Sequence, residues 1–133
     1  MAASPTSPLP TDAERTRVAE LLGREPRGLR AVAVSDEHGD PLVIRVASVV
    51  DGKPFPTLYW LLGEAICLRI DRLEAAGWIA ALQQRVDDSE NLRQAMLEDH
   101  DRHRRERDEF LSVDERAYLT AQGMLSALDA RGI

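Results

Sequence analysis

Cysteine is almost absent from this chain: Cys67 is the only one in 133 residues. A lone thiol excludes an internal disulfide and any cysteine-cluster metal site. Lysine is equally scarce, with Lys53 standing alone against the arginines, a bias that codon usage in a GC-rich genome explains without invoking phosphate recognition. Long apolar runs are missing, so no segment supplies the ~20 apolar residues of a membrane-spanning helix. The opening "MAASPTSPLP" has neither a basic start nor an apolar block and does not read as a secretory signal. A cytoplasmic location without a membrane role is the expectation. The net charge of −6 argues against nucleic acid as the primary partner, because such proteins present a basic face. No Ser-His-Asp pattern, glycine-rich phosphate loop or dinucleotide fingerprint occurs.

What is present points to one globular unit. An apolar fraction of 44% and a charged fraction of 30% are ordinary for such a domain. Residues 1–10, rich in Ser, Pro and Ala, predict a disordered tail, and residues 11–133 a single α+β domain. Thr11 and Glu14 form a capping-box pattern that opens a helix with Val18, Leu21 and Leu22 on one face, stopping at Gly23. "LRAVAVS" and "LVIRVASVV", split by the turn-like "DEHGDP", predict an antiparallel hairpin, and "TLYWLL" a third strand. The expected architecture is a small three-stranded antiparallel meander packed against four to five helices. After Glu64 the pattern is helical, with Ile66, Ile70 and Leu73 on one face and then Ile79, Leu82 and Val86. "DDSEN" caps a long helix from about Glu90 to Leu111. Ser112 and Glu115 repeat the capping box ahead of a helix through Tyr118, Leu125 and Leu128, which Gly123 weakens.

The long helix holds "EDHDRHRRERDEF", on its face a solvated charge run. Advancing 100° per residue from Leu92, however, Met96, His100, His103, Arg107, Phe110 and Leu111 fall within about 100° of arc. Two imidazoles and a guanidinium therefore sit inside an apolar stripe that should face inward. Buried polar groups must find partners, since each left unpaired costs roughly 1–3 kcal/mol. Backbone carbonyls or a carboxylate could satisfy them structurally; alternatively they line a polar pocket in which Arg107 holds an anion, or His100 and His103 share a metal. Two histidines need a third ligand for the last option, so no metal and no cofactor are expected. Glu74, beside the Ile66–Ile70–Leu73 face, is a candidate carboxylate for Arg107, or else an exposed rim residue. Cys67 reads as a buried, inert thiol.

"DGKPFPTLYWLL", Asp51 to Leu62, concentrates Lys53, Phe55, Tyr59 and Trp60. Pro54 and Pro56 stiffen the approach to the strand and hold Phe55 extended. Alternation puts Leu58, Trp60 and Leu62 on one face and Thr57, Tyr59 and Leu61 on the other. The phenol and hydroxyl of the second face predict polar company, with Tyr59 and Thr57 near Arg107 or His100.

In this order, "LGREPRG", "DGKPFPTLYWL", "RLEAAG" and "HDRHRRERD" resemble an uncharacterised bacterial family, domain of unknown function 501. The resemblance covers most of residues 21–110, and the PFPT-aromatic segment is its most specific part. It implies a small cytoplasmic bacterial protein with no assigned activity, and carries over Arg24, Pro54, Phe55, Pro56, Thr57, Tyr59, Glu74, His100 and Arg107. The family's strand commonly ends in Thr-Cys-Pro where this chain has Leu62, Gly63 and Glu64. Its hairpin commonly carries a cysteine where this chain has "SDEHG", and its later Lys-Cys-Leu-His segment has no counterpart before "ARGI". A metal held through those cysteines is not expected here in the same way.

The reading is a non-enzymatic binding or regulatory module whose partner is a protein or a small anionic ligand. The alternative is an enzyme, or an anion-binding protein, with a His/Arg/Glu pocket beneath the PFPTLYWL segment. Candidate ligand-binding residues are Arg24, Thr57, Tyr59, Glu74, His100, His103 and Arg107.

Overall fold

The structure, a computed structural model, describes residues 8–132. Of the tail expected over residues 1–10, residues 1–7 lie outside the described part, as does Ile133. Helix α1 (Asp12–Leu22) starts at the expected capping box: the Thr11 hydroxyl accepts from the Glu14 amide while the Glu14 carboxylate accepts from the Thr11 amide. Strands β1 (Leu29–Ser35), β2 (Pro41–Val46) and β5 (Tyr59–Leu61) form the antiparallel three-stranded sheet, in the order β1-β2-β5. Arg45 lies opposite both Ala31 and Tyr59, and Ile44 opposite both Val32 and Trp60.

The expected single strand over "LVIRVASVV" is broken. Beyond Val46 the chain leaves the sheet, and Val49–Val50 (β3) pairs instead with Lys53–Pro54 (β4). The reason is the Asp51-Gly52 turn, with φ of 51° and 74°, which is the all-positive geometry that closes a two-residue hairpin. The Phe55 amide then donates to the Ser48 carbonyl at 2.7 Å, and the Val46 amide to the Leu58 carbonyl at 2.9 Å, delivering Tyr59 back beside Arg45.

Each face of the sheet has its own cover. Ile44, Val46, Leu29 and Leu62 bury against Val18 of α1, with Trp60 and Phe55 packed on them. The face carrying Arg45 and Tyr59 meets the C-terminal end of α4 (Glu90–Phe110), where the Arg45 guanidinium lies 3.8 Å from the Phe110 ring centroid. Helices α5 (Val113–Ala121) and α6 (Leu125–Asp129) close that side through Leu111, Leu119 and Leu128. One helix was expected over residues 113–128. Gly123, at φ 67°, ends α5 and divides the run in two, so the described residues form six helices rather than four or five.

Helices α2 (Glu64–Ala75) and α3 (Trp78–Asp87) join neither cover. Neither helix has a buried residue; α2 packs on α3 and α3 on α4, while the Cys67 thiol of α2 donates to the Leu61 carbonyl of β5. Both sheet faces are already occupied, so the Ile66–Ile70–Leu73 face has no sheet to pack on. Among the described residues no helix is long and apolar enough to cross a membrane.

Candidate functional site

The Ser89 hydroxyl caps α4 by accepting from the Leu92 amide, and the helix then runs 21 residues into the sheet. Its inward face behaves as the wheel predicts. Arg107 is buried and His100 and His103 are half-buried, whereas Arg102, Arg105 and Glu109 are exposed. At the stripe's other end the prediction weakens: Leu92 is exposed, although α3 packs on α4.

Between this face, the 56–59 segment and residues 130–132 lies an open cleft of about 840 Å³. Thr57 and Tyr59 come from the strand side, His100, His103 and Arg104 from α4, and Arg131 from the C-terminal side. Among the described residues, no Asp or Glu lines it. Gly132 packs so closely on the His100 ring that a side chain there would collide with it. Tyr59 lies at the edge, its hydroxyl donating to Glu106 Oε1 at 2.5 Å. Burial first, and that hydrogen bond second, hold the phenol well above its usual range, so it is a neutral donor. Burial, and then the charge of Arg107, depress the His103 imidazole below its ordinary value, which leaves it neutral at pH 7. Arg104 pairs with Asp101 one turn earlier on the same helix.

Arg107 does not line the cleft; it is buried behind it, at 1% exposure. Its Nη1 donates to the Pro56 carbonyl at 3.1 Å, and its Nη2 to the Leu128 and Arg131 carbonyls at 2.7 and 2.8 Å. The anion clamp and the Glu74 fork expected of it are therefore replaced by three backbone acceptors. One guanidinium fastens the strand approach, the end of α6 and the C-terminal segment to α4. Glu74 is exposed on α2, away from both Arg107 and the cleft, because α2 is not on the sheet. Arg24 is also outside, its guanidinium 4.9 Å from the Trp60 ring centroid on the α1 side. Of the seven candidates the cleft gathers Thr57, Tyr59, His100 and His103.

Residues 32–133 match the family model described as "Protein of unknown function (DUF501)". The chain belongs to this family. No curated protein and no solved structure matches it.

The DUF501 match begins inside β1 and runs through α5 and α6, so every cleft residue lies within it, while Arg24 precedes it. Its C-terminal reach exceeds the resemblance over residues 21–110 and takes in Arg131, which was not among the candidates. Glu106, Arg45 and Phe110 were also passed over. Glu106 is one of several carboxylates in a mixed charge run, and only its helix position next to the inward stripe and a phenol in need of an acceptor mark it. Arg45 is the one charge in an otherwise apolar strand, "PLVIRV", and it is buried with Nε lacking a hydrogen-bond partner. Its stacking on Phe110 keeps the guanidinium on an aromatic face instead. Among the described residues, no group of three or more His, Cys, Asp and Glu side chains is placed to hold a metal ion.

Proposed function

We propose that this DUF501 protein is a non-enzymatic, cytoplasmic binding module that takes a small anionic ligand in the cleft between the 56–59 segment, α4 and residues 130–132. The observation that carries this reading is the lining. A protein of net charge −6 has a cleft of about 840 Å³ walled by two arginines, two histidines, a threonine and a tyrosine, with no Asp or Glu among the described residues that line it. That volume lies in the usual range for small-molecule sites. Arg131 supplies an exposed guanidinium. Arg104 holds a surface ion pair of the kind worth ~0–1 kcal/mol, which an anion can displace at little cost. His100 and Thr57 add hydrogen-bonding groups on opposite walls. Arg107 spends Nη1 and Nη2 on carbonyls, while its buried Nε has no hydrogen-bond partner, so its part is to fix the walls, not to touch the ligand.

An enzyme acting on the same class of anion has one observation in its favour. His103, held neutral, stands at the cleft wall within the electrostatic reach of Glu106, which accepts from Tyr59, a set of groups that can pass a proton. Appearance of a product that depends on His103 would favour that reading.

The binding reading is tested by a thermal-shift panel of phosphate-bearing and carboxylate-bearing metabolites. A ligand at 100 times its Kd adds about 2.7 kcal/mol to stability, which is several degrees for a chain of this size. At least one class should raise the midpoint, less so as salt increases, and the rise should vanish in Arg104→Met/Arg131→Met. No shift at millimolar concentration, or a shift that survives the double substitution, would refute it.

A further inference from the structure

We propose that α2, α3 and the N-terminal half of α4 form an interface with a second copy of this chain, producing a two-fold dimer. The proposal is independent of what the cleft binds.

Ile66, Ile70, Leu73, Trp78, Ile79 and Leu82 expose between 38% and 63% of their surface on two consecutive helices that bury nothing. Isolated helices of 12 and 10 residues are marginal in water, and most helical stability in proteins comes from packing an apolar face. Here α2 and α3 contact each other and α3 contacts α4, but the sheet and α1 leave their apolar groups open. A cover is therefore required whenever the chain is folded.

The size of the uncovered surface argues for a second copy. Those six side chains expose on the order of 600 Å² of apolar area, the upper end of what the largest patch on a monomer ordinarily reaches. A standard interface takes about 800 Å² from each partner, and in homodimers about 65% of it is apolar. The apolar area in the arm matches that share. Surfaces with this much aliphatic character belong to permanent assemblies, whereas transient partners meet through more polar ones. A permanent partner must be present in equal amount, which a second copy of the same chain always is, and a self-complementary patch closes with two-fold symmetry. Charge does not oppose it. Residues 64–97 carry six acidic groups against four arginines, a nearly balanced surface on a protein of net charge −6.

Sedimentation equilibrium of the full chain should return a mass close to twice 14.8 kDa at micromolar concentration. Leu73→Glu/Leu82→Glu, two exposed positions outside the core, should return the single-chain mass. Hydrogen exchange gives a second readout that needs no variant. On dilution, amides of α2 and α3 should lose protection while those of β2 and α1 keep it. If the substituted protein precipitates, this dilution series decides alone. A single-chain mass for the wild type at 100 µM overturns the proposal, including the case in which a different protein covers the arm. A dimer that persists in the double variant, or arm amides whose protection ignores concentration, overturns it equally.

Discussion

Replacing Arg107 with Met keeps the length of the stem and removes the guanidinium. Three hydrogen bonds to a charged donor are lost, each worth about 1.5–3 kcal/mol in isolation. Their sum overstates the effect for two reasons. The Leu128 carbonyl also accepts from the Arg131 amide at 3.1 Å, so it is not left wholly unsatisfied. Burial also disfavours the charged guanidinium, whose nearest opposite charges, Asp129 and Asp108, form no ion pair with it, and that desolvation is relieved by Met. The net expectation is a loss of about 3 kcal/mol, close to that of breaking a buried charged contact. In urea this moves the midpoint down by roughly 1–2 M at unchanged slope, with all variants measured at one protein concentration. Arg107→Lys should fall between, because one ammonium lacks the fork that spans carbonyls from three segments. A midpoint for Arg107→Met within about 0.5 kcal/mol of wild type would refute the clasp, since surface substitutions away from such features have effects of that size.

Two smaller predictions follow from the same geometry. Tyr59→Phe and Glu106→Gln should couple by about 0.5–3 kcal/mol in a double-mutant cycle on stability, whereas Tyr59→Phe and Arg107→Met, which share no bond, should add within roughly 0.5 kcal/mol; the opposite pattern would place the phenol on Arg107. His103 binds its proton more weakly folded than unfolded, so between its depressed folded value and the ordinary 6.5 the unfolded state holds more protons and stability rises with pH. Its contribution is complete above 6.5 and is lost as pH falls through the folded value, and His103→Gln should flatten that part of a stability profile measured between pH 7.5 and pH 5.

Where local chemistry decides a feature, the sequence announces it. Both capping boxes, Thr11–Glu14 and Ser112–Glu115, form as their spacing requires, and the β-branched runs at Leu29–Ser35 and Pro41–Val46 become paired strands. The α4 wheel puts His100, His103 and Arg107 inside for the same reason: 100° per residue leaves no other face for them. What these residues would touch is a different matter. The acceptors of Arg107 are backbone carbonyls 51, 21 and 24 residues away, and a carbonyl carries no residue type by which to be read. A carboxylate such as Glu74 is visible in a sequence and a carbonyl is not. Glu106 lies 47 residues from Tyr59, and its role depends on the β5 register that sets Tyr59 opposite Arg45.

The arm shows the same limit from the other side. Ile66, Ile70 and Leu73 share a face by periodicity, and periodicity states that such a face will be covered without naming the cover. The obvious cover was the sheet, but α1 takes one of its faces and the C-terminal helices take the other. Helix α4 belongs to both regions. Its C-terminal half is clamped by Arg107 and forms the cleft wall, and its N-terminal half packs on α3 in the arm. Leu97, which lines the cleft and is 58% exposed, stands where the two meet. An arm steadied by a second copy would hold the cleft wall through a single continuous helix, so an anion seated against His100 and Arg104 and a partner seated on α3 would act on one rigid element. Binding at either place should then favour the other, and by thermodynamic reciprocity by the same factor.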